Sequence, residues 1–134
     1  MNSIGIGALA KRGGVRVDTV RYYERNGLLA PKVRLASGYR RYGDVELARL
    51  RFIRRAQALG FSLKEVQELL ALSSRRDVAR VRRAAQQKLA DVEKRIAELE
   101  RVRSGLSTLI AACPGHGRAV DCPILNALGG GGSA

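Results

Sequence analysis

A chain of 134 residues is long enough for one small domain plus an extension, not for several large ones. Its 25 Lys and Arg against 12 Asp and Glu give a net charge of +13 and a pI near 11.0, the balance of a protein that meets a polyanion. No apolar run approaches the roughly 18 residues of a membrane span, which excludes an integral membrane helix. The N-terminus places its charges after the mild apolar run, the wrong order for a signal peptide. A cytoplasmic setting is therefore expected, where two cysteines read as thiols or metal ligands more readily than as a structural disulfide. The charge is uneven: residues 1–60 hold 13 Lys/Arg against 4 Asp/Glu, and residues 61–134 hold 12 against 8. A single histidine, no glycine-rich phosphate loop after a strand and no paired base and nucleophile leave an enzyme without parts.

In chain order, Ile6 to Arg12 has the apolar spacing of a short helix, with Ile6, Leu9 and Ala10 on one side, and Gly13-Gly14 stops it. A second helix begins near Val17-Asp18 and turns Val20, Tyr23 and Leu28 inward. Helix, glycine turn, helix is the pattern of a helix-turn-helix. The second helix presents Arg16, Asp18, Thr19, Arg21, Tyr22 and Arg25 outward, where planar guanidinium forks suit phosphates or guanine edges. The bland alternative is a surface helical hairpin with scattered arginines.

Gly27 to Pro31 ends that helix. From Lys32 to Tyr42 two short extended runs flank a turn at Ser37-Gly38, the pattern of a β-ribbon, or wing. Arg34, Arg40 and Arg41 charge it, and Tyr39 and Tyr42 add hydroxyls for phosphate oxygens, one of the two being expected in the core. Asp44 is the expected N-cap of a helix to about Ala58, packed through Val45, Leu47, Ala48, Leu50, Phe52, Ile53 and Ala56. After Gly60, Ser62 and Glu65 have capping-box spacing for a helix that buries Leu63, Val66, Leu69 and Leu70. Ser73 to Asp77 is a polar break.

Val78 to Ala112 runs without proline, and only Gly105 interrupts good helix formers. Val78, Arg82, Ala85, Leu89, Val92, Ile96, Leu99, Arg103, Leu106 and Ile110 recur at 3-4-3-4 spacing, a heptad stripe. Such a helix is about 50 Å long and needs a partner for its stripe. A second copy of the chain is the economical one, so a homodimer is expected. The spacing thus divides the chain into residues 1–72, DNA-binding; 73–112, dimerisation; 113–128, sensor; and a disordered Gly-rich tail, 129–134.

The sensor candidate is the loop from Cys113 to Cys122 with the short helix after it. Pro114-Gly115 ends the long helix. Pro123 fits the first position of a new helix to Leu128, with Cys122 at its N-cap, a place that favours a thiolate. Eight intervening residues can bring both sulfurs onto one ion. By spacing alone the pair is equally open to a disulfide or to two unrelated thiols. His116 is a candidate third ligand and Asp121 a candidate oxygen donor.

Three blocks then carry a resemblance: Thr19-Val20-Arg21-Tyr22-Tyr23-Glu24-Arg25-Asn26-Gly27-Leu28-Leu29, Ser37-Gly38-Tyr39-Arg40-Arg41-Tyr42, and Gly60-Phe61-Ser62-Leu63-Lys64-Glu65-Val66. In order and spacing they resemble the MerR (mercury-resistance regulator) family, over roughly residues 4 to 128. The resemblance implies a mainly α fold, a winged helix-turn-helix dimer joined by an antiparallel coiled coil. It also implies DNA contacts, mostly to the backbone, by Arg21 and Tyr23 on the recognition helix and by Tyr39, Arg40 and Arg34 in the wing. It implies a thiolate-bound metal ion, one per chain, in the loop holding Cys113 and Cys122. The implied partners are double-stranded promoter DNA, at an imperfect palindrome between promoter elements, and RNA polymerase.

For the ion, two soft thiolates suffice for linear Cu(I), Ag(I) or Au(I), whereas zinc wants four ligands. In divalent sensors of the family a further cysteine from the partner chain sits at the position that is Val78 here. These features favour Cu(I). The eight-residue spacing resembles divalent and mercury sensors, so Zn(II) or Hg(II) is the alternative, with thiol oxidation a third reading.

Overall fold

The structure, a computed structural model, describes residues 3–129 and divides into two compact units after Lys88. In the first unit, α1 (Ile6–Gly13) and α2 (Val17–Arg25) form the helix-turn-helix. Gly14 closes α1 in the left-handed conformation, φ 69°, which glycine adopts at least cost. Gly13 has a different role: a Cβ there would lie 2.3 Å from Leu50 Cδ2, so α1 and the third helix approach only because it is absent. Arg25 ends α2, and Leu28 and Leu29 enter the core from the turn that follows rather than from the helix.

The wing pairs β1 (Val33–Arg34) with β2 (Arg40–Arg41) antiparallel, Val33 opposite Arg41 and Arg34 opposite Arg40. Ile4 and Tyr42 exchange backbone hydrogen bonds of 2.7 and 2.8 Å, tying the N-terminal segment to the wing's far side. Tyr42 is fully buried and Tyr39 is 57% exposed, so one wing tyrosine is core and the other surface.

Next come α3 (Asp44–Ala58) and α4 (Leu63–Ser74). Asp44 is not the N-cap of α3: it is the first helical residue, Gly43 holds the cap position, and the Gly43 N–H donates to Glu46 Oε2 at 2.8 Å. Val45, expected inward, is exposed, one residue off the face that buries Leu47 and Leu50. The capping box of α4 forms as its spacing indicates: Glu65 N–H donates to Ser62 Oγ (3.2 Å) and Ser62 N–H to Glu65 Oε1 (2.8 Å). The core is one cluster centred on Leu9, Val20, Leu28, Tyr42, Leu50, Ile53 and Val66, with no buried charge among the described residues.

The long helix α5 spans Val78–Ala112, and Asp77 accepts from the Arg80 N–H at its start (3.2 Å). No residue of α5 is buried, and Leu89, Ile96, Leu99, Leu106 and Ile110 are each at least half exposed. In the second unit, a single 3-10 turn (Ala119–Asp121) leads to α6 (Pro123–Leu128). Residues 130–134 of the expected disordered tail lie outside the described residues.

Candidate functional site

Two groups of side chains carry chemistry. The first lies between α2 and the wing, around an open cleft of about 680 Å³ lined by Arg21, Arg25, Arg34, Tyr39 and Arg40. Arg16, Arg21, Arg34 and Tyr39 are exposed, and Thr19 is half-buried. Arg25 stands 6.0 Å over the Tyr22 ring, a cation–π contact that holds both on the outer face of α2.

Tyr23 lies on the inward face that its spacing indicated, and so departs from the DNA contact that the resemblance implied. It is buried, and its hydroxyl donates to Gln57 Oε1 at 2.6 Å. The inward face of α2 ties this ring to α3, so it offers the surface no group for DNA. Burial pushes its pKa up. The neighbouring Tyr22, 45% exposed, occupies the outward position instead.

Arg40 is only partly free. Its Nη1 donates to both carboxylate oxygens of Glu24, at 3.2 and 3.3 Å, and Tyr42 donates to Glu24 Oε1 at 2.8 Å. Burial and the bond to Glu24 push the Tyr42 hydroxyl up to about 12, so it remains a donor throughout the physiological range. Glu24 thus joins α2 to the start of β2 and to the residue just past its end. Sequence reasoning missed it; the signal was one carboxylate amid Arg21, Arg25 and the wing arginines.

The second group is the thiol pair. Cys113 lies just past the end of α5, its N–H donating to the Leu109 and Ile110 carbonyls. Cys122 caps α6, its Sγ accepting from the Leu125 N–H at 3.4 Å. That bond is the main reason its thiol pKa is lowered, the bond from Ile124 and contact with Cys113 adding to it; burial opposes. The sulfurs are 3.9 Å apart and not bonded to each other.

Two thiolates bound at about 2.3 Å to one ion stand between about 3.8 Å (tetrahedral) and about 4.6 Å (linear) apart. The observed spacing falls at the close end of that interval, so the two donors can share a thiophilic ion. The expected third donors are not gathered with them. His116 is exposed, Asp121 pairs with Arg118 at 3.2 Å, and among the described residues no cluster of three His, Cys, Asp or Glu forms.

A basic helix-turn-helix with a wing, carried on one chain with a paired-thiol loop, defines a DNA-binding regulatory protein. The chain belongs to the MerR family: the family's sequence model described as "MerR HTH family regulatory protein" matches residues 5–73, and that described as "MerR, DNA binding" matches residues 47–109. Members are DNA-binding transcription regulators rather than enzymes. The chain is similar to the mercuric resistance operon regulatory protein of Pseudomonas fluorescens, 40% identical over 99% of this chain and 92% of that one. It is 44% identical to the HTH-type transcriptional regulator HmrR of Sinorhizobium medicae, over 98% of this chain and 90% of the other. Among solved structures it is similar to the regulator PbrR691 of Ralstonia metallidurans CH34 in complex with lead(II), at 35% identity and a TM-score of 0.81, covering 92% of this chain and 97% of that one. No helix among the described residues is long and apolar enough to cross a membrane.

Proposed function

We propose that this chain is a homodimeric, metal-responsive transcriptional regulator. Residues 1–72 hold promoter DNA, 73–112 join two copies through α5, and 113–128 bind one thiophilic ion per chain. The observation that carries the reading is the 3.9 Å approach of Cys113 and Cys122 on a chain that also folds a winged helix-turn-helix. The relatives named for mercury and lead support the metal response.

The chain's own residues set the chemistry. Leu125 N–H stabilises the Cys122 thiolate, so Cys122 is deprotonated more readily than a free cysteine. Pro114, with no N–H, keeps α5 from continuing past Cys113, which fixes that sulfur to the helix end. A bound ion supplies two metal–sulfur bonds that close the loop. On the DNA side, Arg16, Thr19, Arg21, Arg34, Tyr39 and Arg40 present the donors, and Tyr23 positions α2 from beneath. The site would be an imperfect palindrome between promoter elements, read partly through the deformability of the spacer, with RNA polymerase as the partner there.

For the ion, two thiolates with Val78 at the start of α5 favour Cu(I), Ag(I) or Au(I), which accept two soft ligands. A divalent ion is the second reading, and one observation favours it. The sulfurs stand 3.9 Å apart, closer than two linear ligands would be, which would leave room for further donors on a divalent ion. His116, the partner chain or solvent would complete that shell.

The test is promoter-directed transcription in vitro by the intact protein with polymerase, titrated with Cu(I), Hg(II), Pb(II) or Zn(II). Activation by at least one ion is expected, with DNA binding preserved and the response abolished in Cys113→Ser and Cys122→Ser. An equal response in those variants would sink the reading. Val78→Cys, adding a third thiolate, is expected to raise divalent affinity at least tenfold over Cu(I).

A further inference from the structure

A second basic cleft shares no lining residue with the one between α2 and the wing. It is lined by Lys11, Arg12, Arg51, Arg54 and Arg55, over a backbone floor of Gly13 and Gly14, and encloses about 260 Å³. Arg54 Nη1 donates to the Gly13 carbonyl at 2.9 Å, anchoring one guanidinium on the C-terminal end of α1. A Cβ on Gly14 would lie 2.9 Å from that same nitrogen, so glycine is what admits the side chain. Among the described residues no carboxylate lies within ion-pair distance of Lys11, Arg51, Arg54 or Arg55. Elsewhere in the same unit Arg40 pairs with Glu24, Lys88 with Glu65 and Arg80 with Asp77.

Concentrating this charge in one recess costs self-repulsion unless an anion offsets it. We propose that the cleft between α1 and α3 is a phosphodiester site, which holds the DNA backbone beyond the groove read by α2. Two observations favour DNA over an acidic protein segment. The donors are mostly arginine, whose planar fork matches a phosphate's oxygens two at a time. And Arg16, the exposed N-cap of α2 and 3.9 Å from Asp18, follows the Gly13-Gly14 turn two residues on in the sequence, in the same helix-turn-helix that meets DNA. The site rests on the reading of this chain as a DNA-binding regulator and adds an anchor that carries no base information.

The test uses the full-length protein and two duplexes, one selected by the unaltered protein from a random-sequence pool and one of unrelated sequence. Binding is followed against monovalent salt for the unaltered protein, for Lys11→Gln/Arg51→Gln, and for Arg21→Gln. Removing one cation from a DNA phosphate flattens the log–log salt slope by about 0.9. Lys11→Gln/Arg51→Gln is expected to flatten the slope by about 1 to 2 per bound chain on both duplexes, with unchanged sequence preference. Arg21→Gln is expected to weaken the preference itself. An unchanged slope in the double variant, with the thermal melt of the unaltered protein, overturns the phosphodiester site. Loss of polymerase-dependent transcription with unchanged DNA binding also overturns it, assigning the cleft to an acidic protein surface. If no duplex is selected, the regulator reading fails, and the slope on unrelated DNA still tests the cleft.

Discussion

The two units solve the burial problem in opposite ways. The first encloses fourteen apolar side chains from four helices and a wing, and its capping, glycine contacts and buried tyrosines all serve that core. Among the described residues from Leu89 onward none is buried, although Leu89, Ile96, Leu99, Leu106 and Ile110 are as apolar as the residues of the core. A core built within one chain has a stability independent of concentration. The exposed heptad stripe, in the proposed homodimer, would be covered only by mass action.

A pair of truncations sharpens this difference most. Leu50→Ala, at a fully buried position, is expected to cost about 2–5 kcal/mol at any protein concentration, read by denaturant unfolding. Leu99→Ala is expected to leave the first unit's unfolding unchanged and to raise the dimer dissociation constant at least tenfold, read by sedimentation. Equal concentration dependence in both would contradict the contrast.

Gly13→Ala probes how tightly the first unit is closed. Its Cβ has no room against Leu50, so a loss of about 1–3 kcal/mol is expected from overpacking, measured as a fall in Tm. Glu24→Gln keeps the size of the side chain but removes the charge between Arg40 and Tyr42. A loss of about 1–2 kcal/mol is expected, with DNA affinity falling more than stability because the wing is no longer fixed to α2.

The smallest expected effect is a pH dependence at Glu65. Lys88 at 2.8 Å, followed by the Ser62 N–H, holds this carboxyl down to about 2. A depressed folded-state pKa gives stability that is complete above the unfolded value of about 4.3 and is lost as pH falls toward about 2. Because Glu65 is over a third exposed, solvent screens the pair, and less than about 1 kcal/mol is expected. Glu65→Gln should therefore lower stability at pH 7 and make no difference near pH 2, where the native carboxyl is itself being protonated.

Much of the fold was legible in the sequence because it is local. The heptad stripe marks α5 to both of its ends, Ser62 and Glu65 mark the start of α4, and Pro123 after Cys122 marks α6. The closeness of the two thiols was less legible: spacing alone left them open to a disulfide or to no relation, and it is the loop's fold that brings the sulfurs to 3.9 Å. What escaped depended on tertiary neighbours. Spacing turned Tyr23 inward, but only the packing of α2 on α3 shows its hydroxyl taken up by Gln57 and so withheld from DNA. Glu24 has no local signal that it will meet Arg40 and Tyr42 across the wing. The cleft over Gly13-Gly14 needs α1 and α3 side by side, although they lie some forty residues apart.

The measurement that tests the regulator most directly is a competition titration of the reduced protein with Cu(I), Hg(II) and Zn(II), each against a chelator of known affinity, repeated on Cys113→Ser and Cys122→Ser. The expected result is one ion per chain, tightest for Cu(I) relative to its chelator, with binding lost in either variant. Tight Zn(II) binding that His116→Ala removes would replace the two-thiolate site with a divalent one. Unchanged binding without Cys113 or Cys122, or no binding by the unaltered protein, would contradict the metal site altogether.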